Sequence, residues 1–374
     1  MKSHSVRHKT ILALMLALTL ASCAAPRRGE IAQPEHTSEP IPTTSAPLPS
    51  PTLPSTAPPT EPEPAAESAP IDYAAIKPYE VGHIMIIMYH GVVTGEAPSK
   101  YQRGAGDFRE DLETLYNDGF RLCSMKDVIE NNIRVPAGYA PVVITFDDGD
   151  PNTFRLIESG GGLIPAPETG IAIMEEFRGK RPDFGAGATL FINDDPFPGA
   201  GDVPERLKWL VDHGYDVGNH TKTHPELSSL DAREIMDEIG YIDRLIRDAL
   251  PGYEPVGFAF PFGDRPKEEL RGYVASGVSE GRTYQCAFAL KEGYNAMPSA
   301  PNRVGFDPMN MPRVRGSSTP IENAYDMGFF LEFYRERPEF RYISDGDPDT
   351  IAVPAEYEEN LDKASLGDKT PVVY

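Results

Sequence analysis

The segment 141–149 constrains the fold of this chain more than any other part of the sequence. It reads Pro-Val-Val-Ile-Thr-Phe-Asp-Asp-Gly, a run of β-forming residues that ends in two carboxylates and a glycine. A run of this kind without alternation is typical of a strand buried on both faces, as in parallel sheets. Successive side chains of a strand point in opposite directions, so we expect Asp147 and Asp148 to have different roles. Taken alone, Asp-Asp-Gly is also an ordinary turn after a strand.

Short strand patterns alternate with amphipathic helical patterns through much of the remaining sequence. The strand patterns lie at 84–90, 120–123, 141–146, 188–193, 215–218, 256–260 and 284–290. This alternation is typical of a parallel sheet or a (β/α) barrel, and about seven strands favour the barrel. In such barrels the reactive side chains follow the C-terminal ends of the strands, which is where Asp147 and Asp148 lie.

Two histidines, His220 and His224, follow the strand pattern at 215–218. Residues four apart lie on one side of a helical turn, and paired histidines at this spacing often bind one divalent cation. For this pair alone, a polar loop with two solvated histidines is an equal alternative. With the carboxylate of Asp148, the pair makes a set of two histidines and one carboxylate. Such a set leaves coordination positions open for water and substrate, as catalytic metal sites do.

The first 23 residues have the pattern of a targeting segment. Three basic residues, Lys2, Arg7 and Lys9, precede an apolar run at 11–20, which is short for a membrane span and suits a signal peptide. The run ends just before Cys23 and resembles a bacterial lipoprotein signal, in which that cysteine is lipidated. We therefore expect a protein anchored to the outer face of the bacterial cytoplasmic membrane. An ordinary secretory signal is the alternative, and it would also place the protein outside the cytoplasm.

Residues 24–72 predict a disordered tether, because they are dominated by Pro, Ser, Thr, Glu and Ala and lack a periodic apolar pattern. At about 3.1 Å per residue, this tether would hold a domain on the order of 100 Å from the membrane. The folded domain is expected at 80–336, followed by an acidic extension at 337–374.

The net charge narrows the class of partner, and the cysteines leave room for one disulfide bridge. The formal net charge is −22, which argues against nucleic acid and against electrostatic binding to anionic lipid, so the lipid anchor would be the only membrane contact. Cys123 and Cys286 can form one bridge or remain two buried thiols, and the sequence does not decide between them.

Three motifs, in this order, resemble the polysaccharide deacetylase family, also called the NodB-homology domain or carbohydrate esterase family four. They are Thr-Phe-Asp-Asp-Gly at 145–149, His-Thr-Lys-Thr-His at 220–224 and Phe-Ala-Phe-Pro-Phe-Gly at 258–263. The resemblance covers roughly residues 80–315. It implies a distorted (β/α)7-type barrel that hydrolyses N-acetyl groups on sugar polymers.

The resemblance also implies roles for individual residues. Asp147 is similar to the general base of the family, and the backbone N–H of Phe262 is similar to a donor that stabilises the oxyanion. The expected ligands of a divalent metal, Zn with Co, Mn or Ni as alternatives, are Asp148, His220 and His224. The expected wall of the sugar site consists of Phe260, Pro261, Phe262 and Gly263.

The sequence departs from the family pattern at two points. Ala259 stands where many members have an arginine that orients the base, and no histidine follows His224 to serve as general acid. We expect Arg313 to orient the base, with Arg303 as the alternative. His90, at the end of the first strand, is the proposed acid. The alternative for His90 is a strand-end histidine that only packs or forms hydrogen bonds, and protonated Asp147 is the alternative acid.

These observations favour an extracytoplasmic, monomeric, metal-dependent hydrolase whose partner is a glycan polymer, either peptidoglycan or an exopolysaccharide containing N-acetylglucosamine. Two alternatives remain open at this point. One is an acetyl esterase that acts on another glycan, and the other is a carbohydrate-binding pseudoenzyme of the same fold.

Overall fold

The structure is a computed structural model that describes residues 71–293, 299–317 and 326–374. The predicted signal segment at 1–23, with Cys23, lies outside these ranges, and so does the predicted tether up to residue 70.

Seven parallel strands close into a barrel, and consecutive strands along the chain are neighbours all the way round. The strands are β1 (Met85–Tyr89), β2 (Ala140–Phe146), β3 (Thr189–Ile192), β4 (Asp216–Asn219), β5 (Phe258–Ala259), β6 (Ala289–Glu292) and β7 (Met311–Arg315). Pairing of β7 with β1, which places Val314 opposite Ile87, closes the ring. The expected (β/α)7-type barrel is confirmed.

Two of the predicted strands do not form complete barrel strands. Phe120–Leu122 pairs only with the start of β2, while β3 pairs with its end, so this short strand lies beside the ring. The pattern at 284–290 divides between a hairpin strand, Arg282–Gln285, and β6, which begins at Ala289. The apolar residues of this stretch are buried in both elements, and one continuous strand pattern therefore concealed two structures.

Helices and small sheets surround the barrel. The helices are α1 (Tyr73–Ile76), α2 (Ala105–Asn117), α3 (Met125–Ile129), α4 (Gly170–Lys180), α5 (Val203–Asp212), α6 (Ala232–Ala249), α7 (Gly272–Ala275) and α8 (Met327–Glu336). The two-stranded sheets pair Val92–Val93 with Arg103–Gly104, Leu156–Ser159 with Gly162–Pro165, Ser276–Ser279 with Arg282–Gln285, and Thr350–Val353 with Thr370–Val373. Among the described residues, no helix combines the length and apolar character needed to cross a membrane.

The sequence explains why α6 forms and why it packs on the barrel. The carboxylate of Asp231 caps its first turn by accepting hydrogen bonds from the N–H groups of Arg233 and Glu234, each at 2.9 Å. Isoleucines at helical spacing are buried on its inner face, at positions 235, 239, 242 and 246. Each such side chain contributes roughly 1.5–3 kcal/mol by leaving water, so this face holds the helix against the barrel.

The segment before β1 is buried by the C-terminal part of the chain. Tyr79 forms an antiparallel bridge with Ile343, and the N–H of Ala352 donates a hydrogen bond to the buried carboxylate of Glu80 at 2.7 Å. The segment after residue 337 therefore packs against the residues that lead into β1. Both cysteines in the described residues are free thiols, so they do not form a bridge.

His83, two residues before β1, is surrounded by aromatic side chains. Its ring lies 5.5 Å from that of Phe340 and 5.9 Å from that of Tyr334, and its buried Nδ1 has no hydrogen-bond partner in the described part of the chain. Burial, together with the charge of Arg303, lowers the pKa of His83 to about 4.

This burial predicts an acid-sensitive contribution to stability. In the unfolded chain His83 binds a proton near pH 6.5, whereas in the folded chain it stays neutral down to about pH 4. Its contribution is therefore present above pH 6.5 and is lost as the pH falls towards 4. We expect His83→Phe to reduce the loss of unfolding free energy between pH 7 and pH 4 by up to roughly 3 kcal/mol. Denaturant titrations of both proteins across this range measure it, and parallel curves would contradict the assignment.

Candidate functional site

The C-terminal ends of the barrel strands enclose a cavity of about 220 Å³. Its lining residues come from the ends of six of the seven strands or from the loops that follow them. They are Met88, His90, Tyr101, Asp147, Asp148, His220, His224, Phe260, Phe262, Gly263, Glu292 and Arg313. The closed ring therefore assembles residues that are more than 200 positions apart in the sequence.

Asp148, His220 and His224 converge in this cavity. The Oδ1 atom of Asp148 lies 3.4 Å from Nε2 of His220 and 3.6 Å from Nε2 of His224. One potential ligand atom from each residue lies within 4.8 Å of the other two, and no other group of this kind occurs among the described residues. The arrangement brings together two imidazoles and a carboxylate, which are ligands that zinc and related divalent ions accept.

A hydrogen bond fixes how His220 presents its ring. Its Nδ1 donates to the carbonyl of Ala259 at 2.8 Å, so the unprotonated Nε2 of the neutral ring faces Asp148. Ligating histidines commonly hold their second nitrogen in this way. The residues present therefore fit a divalent cation, with His220 pre-oriented for it.

The two histidines meet through a loop, and the predicted helical turn is wrong. Thr221 and His224 have φ angles of 68° and 57°, in the left-handed region, and the segment forms no helix. The two rings nevertheless lie 4.9 Å apart between centroids. The spacing of four residues identified the pair, but a strained loop brings the rings together.

Side chains from neighbouring elements hold this loop in place. The side-chain amide of Asn193 donates to the carbonyls of His220 and Thr221, at 2.6 and 2.7 Å. Asn219 accepts a hydrogen bond from the N–H of Thr221, and Glu238 of α6 accepts from both the N–H and the hydroxyl of Thr223. We did not identify Asn193 from the sequence, although its position as the last residue of the predicted strand 188–193 was a usable signal.

Asp147 points into the barrel, where it pairs with Arg313. Nη1 and Nη2 of the arginine donate to Oδ1 and Oδ2 of the carboxylate at 2.7 and 2.6 Å. The two side chains are 1% and 2% exposed, and Nη1 also donates to the hydroxyl of Thr145 at 3.1 Å. Arg303, the alternative partner, instead donates to the hydroxyl of Tyr79 and to the carbonyl of Val81. Of the two arginines considered, Arg313 is therefore the one that contacts Asp147.

Asp147 and Asp148 have different electrostatic environments. Burial by itself raises the pKa of Asp147, but the charge of Arg313, with those of His220 and His90, holds that pKa well below its usual value. Burial also raises the pKa of Asp148, but the hydrogen bond and the charge of His220 outweigh this effect, so that the pKa of Asp148 is lowered. Both carboxylates are therefore ionised at neutral pH.

The two histidines also differ. Burial lowers the pKa of His220, but the carboxylates of Asp147 and Asp148 outweigh it, so the pKa of His220 is raised. The pKa of His224 is lowered, first by burial and then by the charge of His220. Of the two histidines, His220 therefore binds a proton more readily. A cation held by these residues would have to displace that proton.

His90 follows β1 and lines the same cavity. Its Nε2 lies 4.0 Å from Oδ2 of Asp148, and its ring lies 5.3 Å from that of Tyr101. Tyr101 was not among the residues predicted from the sequence, because no pattern marks the loop that carries it.

The predicted sugar wall at 260–263 is only partly at the surface of the cavity. Phe262 has a φ angle of 56° and is 65% exposed, with its ring 4.3 Å from that of His224. Phe260 and Gly263 also line the cavity, whereas Pro261 is buried and does not. Glu292 was missed, because the predicted strand ended before it.

Comparisons with known proteins point to one family. The family model for polysaccharide deacetylase matches residues 182–279, which include the histidine pair and the wall at 260–263. A chitooligosaccharide deacetylase from Bradyrhizobium sp. is 28% identical over 151 residues, covering 40% of this chain and 59% of that protein. A second one, from Sinorhizobium fredii, is 28% identical over 137 residues and covers 37% and 54%. The chain thus spans less than two thirds of the length of these two relatives.

Solved structures are similar at lower identity. A polysaccharide deacetylase from Bacillus cereus is 18% identical, with a TM-score of 0.46 over 68% of this chain and 69% of that one. A deacetylase from Streptococcus pyogenes, solved with acetate, is 17% identical, with a TM-score of 0.45 over 64% and 94%.

The buried pair predicts a large effect of removing one partner. Arg313→Met leaves the carboxylate of Asp147 buried without its counter-charge, so we expect a loss of about 3–5 kcal/mol in unfolding free energy. Adding Asp147→Asn should restore a substantial part of it. Denaturant unfolding of the single and double variants completes the cycle, with Arg303→Met as the matched arginine control. Equal losses for both arginines, without recovery in the double variant, would show that the pair is not stabilised in this way.

Proposed function

We propose that this chain, which is similar to polysaccharide deacetylases, is a metal-dependent hydrolase that removes N-acetyl groups from a polymer containing N-acetylglucosamine. One observation carries the proposal. A buried Arg313–Asp147 pair lies beside Asp148, His220 and His224 in a single cavity.

The metal would be held by Asp148, His220 and His224, and we propose zinc as the native ion. A divalent cation bound there supplies Lewis acidity, which makes a nearby water more acidic and the acyl carbonyl more electrophilic. Since these ligands come from only three side chains, the cavity side of the site stays open to water and substrate.

Asp147 would act on the attacking water. Arg313 keeps the carboxylate ionised and holds both of its oxygens in a fixed direction. The ionised carboxylate accepts a proton as the water oxygen bonds to the acyl carbon. Its lowered pKa makes it a weak base and, once protonated, a strong acid. The proton is therefore readily passed on.

The reaction is complete when the carbon–nitrogen bond breaks and the nitrogen receives a proton, giving acetate and an amine. The negative charge on the acyl oxygen before this step needs hydrogen-bond donors, and we assign the backbone N–H of Phe262 to this task. The left-handed backbone at Phe262 and its contact with His224 support the assignment.

His90 is our proposed donor of the proton to the leaving nitrogen. It lines the cavity, and its Nε2 lies near Asp148, on the side of the cation site that faces β1. Protonated Asp147 is the alternative donor.

The cellular setting is also a proposal. A lipidated Cys23 and a tether at 24–72 would present the barrel outside the bacterial cytoplasmic membrane as a monomer, within reach of peptidoglycan or an exopolysaccharide. A pseudoenzyme is less well supported, because Arg313 replaces the arginine that is absent at Ala259. An acetyl esterase would use the same residues, and substrate profiling separates it from a deacetylase.

Acetate release tests the proposed function directly. We expect the protein to release acetate from N-acetylglucosamine oligomers or peptidoglycan, and a chelator to abolish this release until Zn²⁺ is restored. Asp147→Asn removes the proton acceptor, so activity should fall by roughly 10²–10⁴-fold while zinc binding, measured by calorimetry, persists. No release from any N-acetylated glycan by zinc-loaded protein, or full activity of Asp147→Asn, would refute the proposal.

His90→Gln tests the acid role separately. If His90 protonates the leaving amine, kcat should fall by roughly 10²-fold or more on N-acetyl substrates, with little change in KM. An acetyl ester has a better leaving group and should be much less affected. Equal losses on both substrates would leave protonated Asp147 as the proton donor.

A further inference from the structure

The loop after β1, residues 94–102, brings Tyr101 to the rim of the cavity. In the closed ring of seven strands, β1 lies across the barrel from β5, which is followed by Phe262. Tyr101 lies next to His90, with 5.3 Å between ring centroids, and Phe262 lies next to His224, with 4.3 Å between them. An aromatic ring therefore stands at each end of the row of polar groups centred on Asp148.

A buried carboxylate fixes the base of this loop. Arg103, at its closing end, donates from Nε and Nη2 to the two oxygens of Asp111, both at 2.8 Å. The hydroxyl of Tyr89, the last residue of β1, donates to the same carboxylate at 3.0 Å. Strands Val92–Val93 and Arg103–Gly104 pair across the base. The fold thus ties the position of the loop to the strand that presents His90.

Both aromatic rings are partly exposed, and the ammonium of Lys100 lies over one face of the Tyr101 ring, 4.9 Å from its centroid. Tyr101 is 38% exposed and Phe262 is 65% exposed, and both line the cavity. An aromatic ring offers a flat apolar face, and the C–H faces of a pyranose ring are its apolar complement. Exposed aromatic side chains at a cavity rim therefore suit a sugar ring.

The size of the cavity bears on which sugar ring Tyr101 contacts. At about 220 Å³ it is smaller than the roughly 300–1,000 Å³ typical of pockets that enclose a whole drug-sized ligand. One acylated sugar can occupy it, and the adjoining units of a polymer must lie outside, over the rims. Tyr101 lies on such a rim.

We propose that Tyr101 binds the pyranose ring adjoining the unit whose acyl group is removed, so that the site acts on units within a polymer. This inference rests on the proposed function. Tyr101 is in this sense a residue that determines specificity for chain length, and it takes no part in the chemical step.

The experiment compares N-acetylglucosamine monomer and pentamer as ligands of the full-length protein loaded with zinc. We expect Tyr101→Ala to lower the ratio of kcat/KM for the pentamer to that for the monomer by about tenfold, mainly through KM. Tyr101→Phe keeps the ring and should retain most of the ratio. Val278→Ala removes an exposed side chain outside the cavity and serves as the control. A ratio for Tyr101→Ala equal to that of the parent would overturn the inference.

Calorimetry separates this inference from the proposed function. If the parent releases no acetate, the proposed function fails, and titration of the pentamer into parent and Tyr101→Ala still decides the role of the ring. Binding that is about tenfold weaker in the variant supports the contact. Equal binding, or no binding by the parent, overturns it. Thermal unfolding of both proteins checks that the variant is folded.

Discussion

The salt bridge between Arg313 and Asp147 is the interaction on which the site depends. Burying two charges is expensive, and a well-packed apolar pair of similar size is often as stable. The two hydrogen bonds from Arg313 to Asp147 offset part of this desolvation penalty. They also align the carboxylate and keep it ionised. Since β2 and β7 both flank β1, the bridge crosses one strand inside the closed ring. Pairing of β7 with β1 therefore also brings Arg313 within hydrogen-bond distance of Asp147.

Four residues in or next to the same cavity have a strained backbone. Asp148, Thr221, His224 and Phe262 all have positive φ, a conformation that few residues other than glycine adopt. Each such residue costs of order 1 kcal/mol or more, and the surrounding hydrogen bonds have to maintain it. Those bonds are present at the histidine loop, where Asn193, Asn219 and Glu238 hold the backbone. Three of these strained residues, Asp148, His224 and Phe262, carry side chains that line the cavity.

The sequence was informative where a strand pattern ends in polar residues. Asp147, Asp148 and His220 lie directly after strands, and parallel strands bring their C-terminal ends together. Local loop geometry was not predictable in this way, because the spacing of His220 and His224 suits a helical turn as well as the loop that forms. Tyr101 could not be found, because its placement depends on the hydrogen bonds that Tyr89 and Arg103 donate to Asp111.

The order of strands around the ring has a consequence for biogenesis. Because each strand pairs with its successor, the last one, β7, supplies both the seam with β1 and the guanidinium of Arg313. A nascent chain that has been synthesised only as far as β6 contains Asp148, His220 and His224 but lacks Arg313. Premature chain ends upstream of β7 would thus leave an open sheet with exposed edges, prone to aggregation and to capture by proteases.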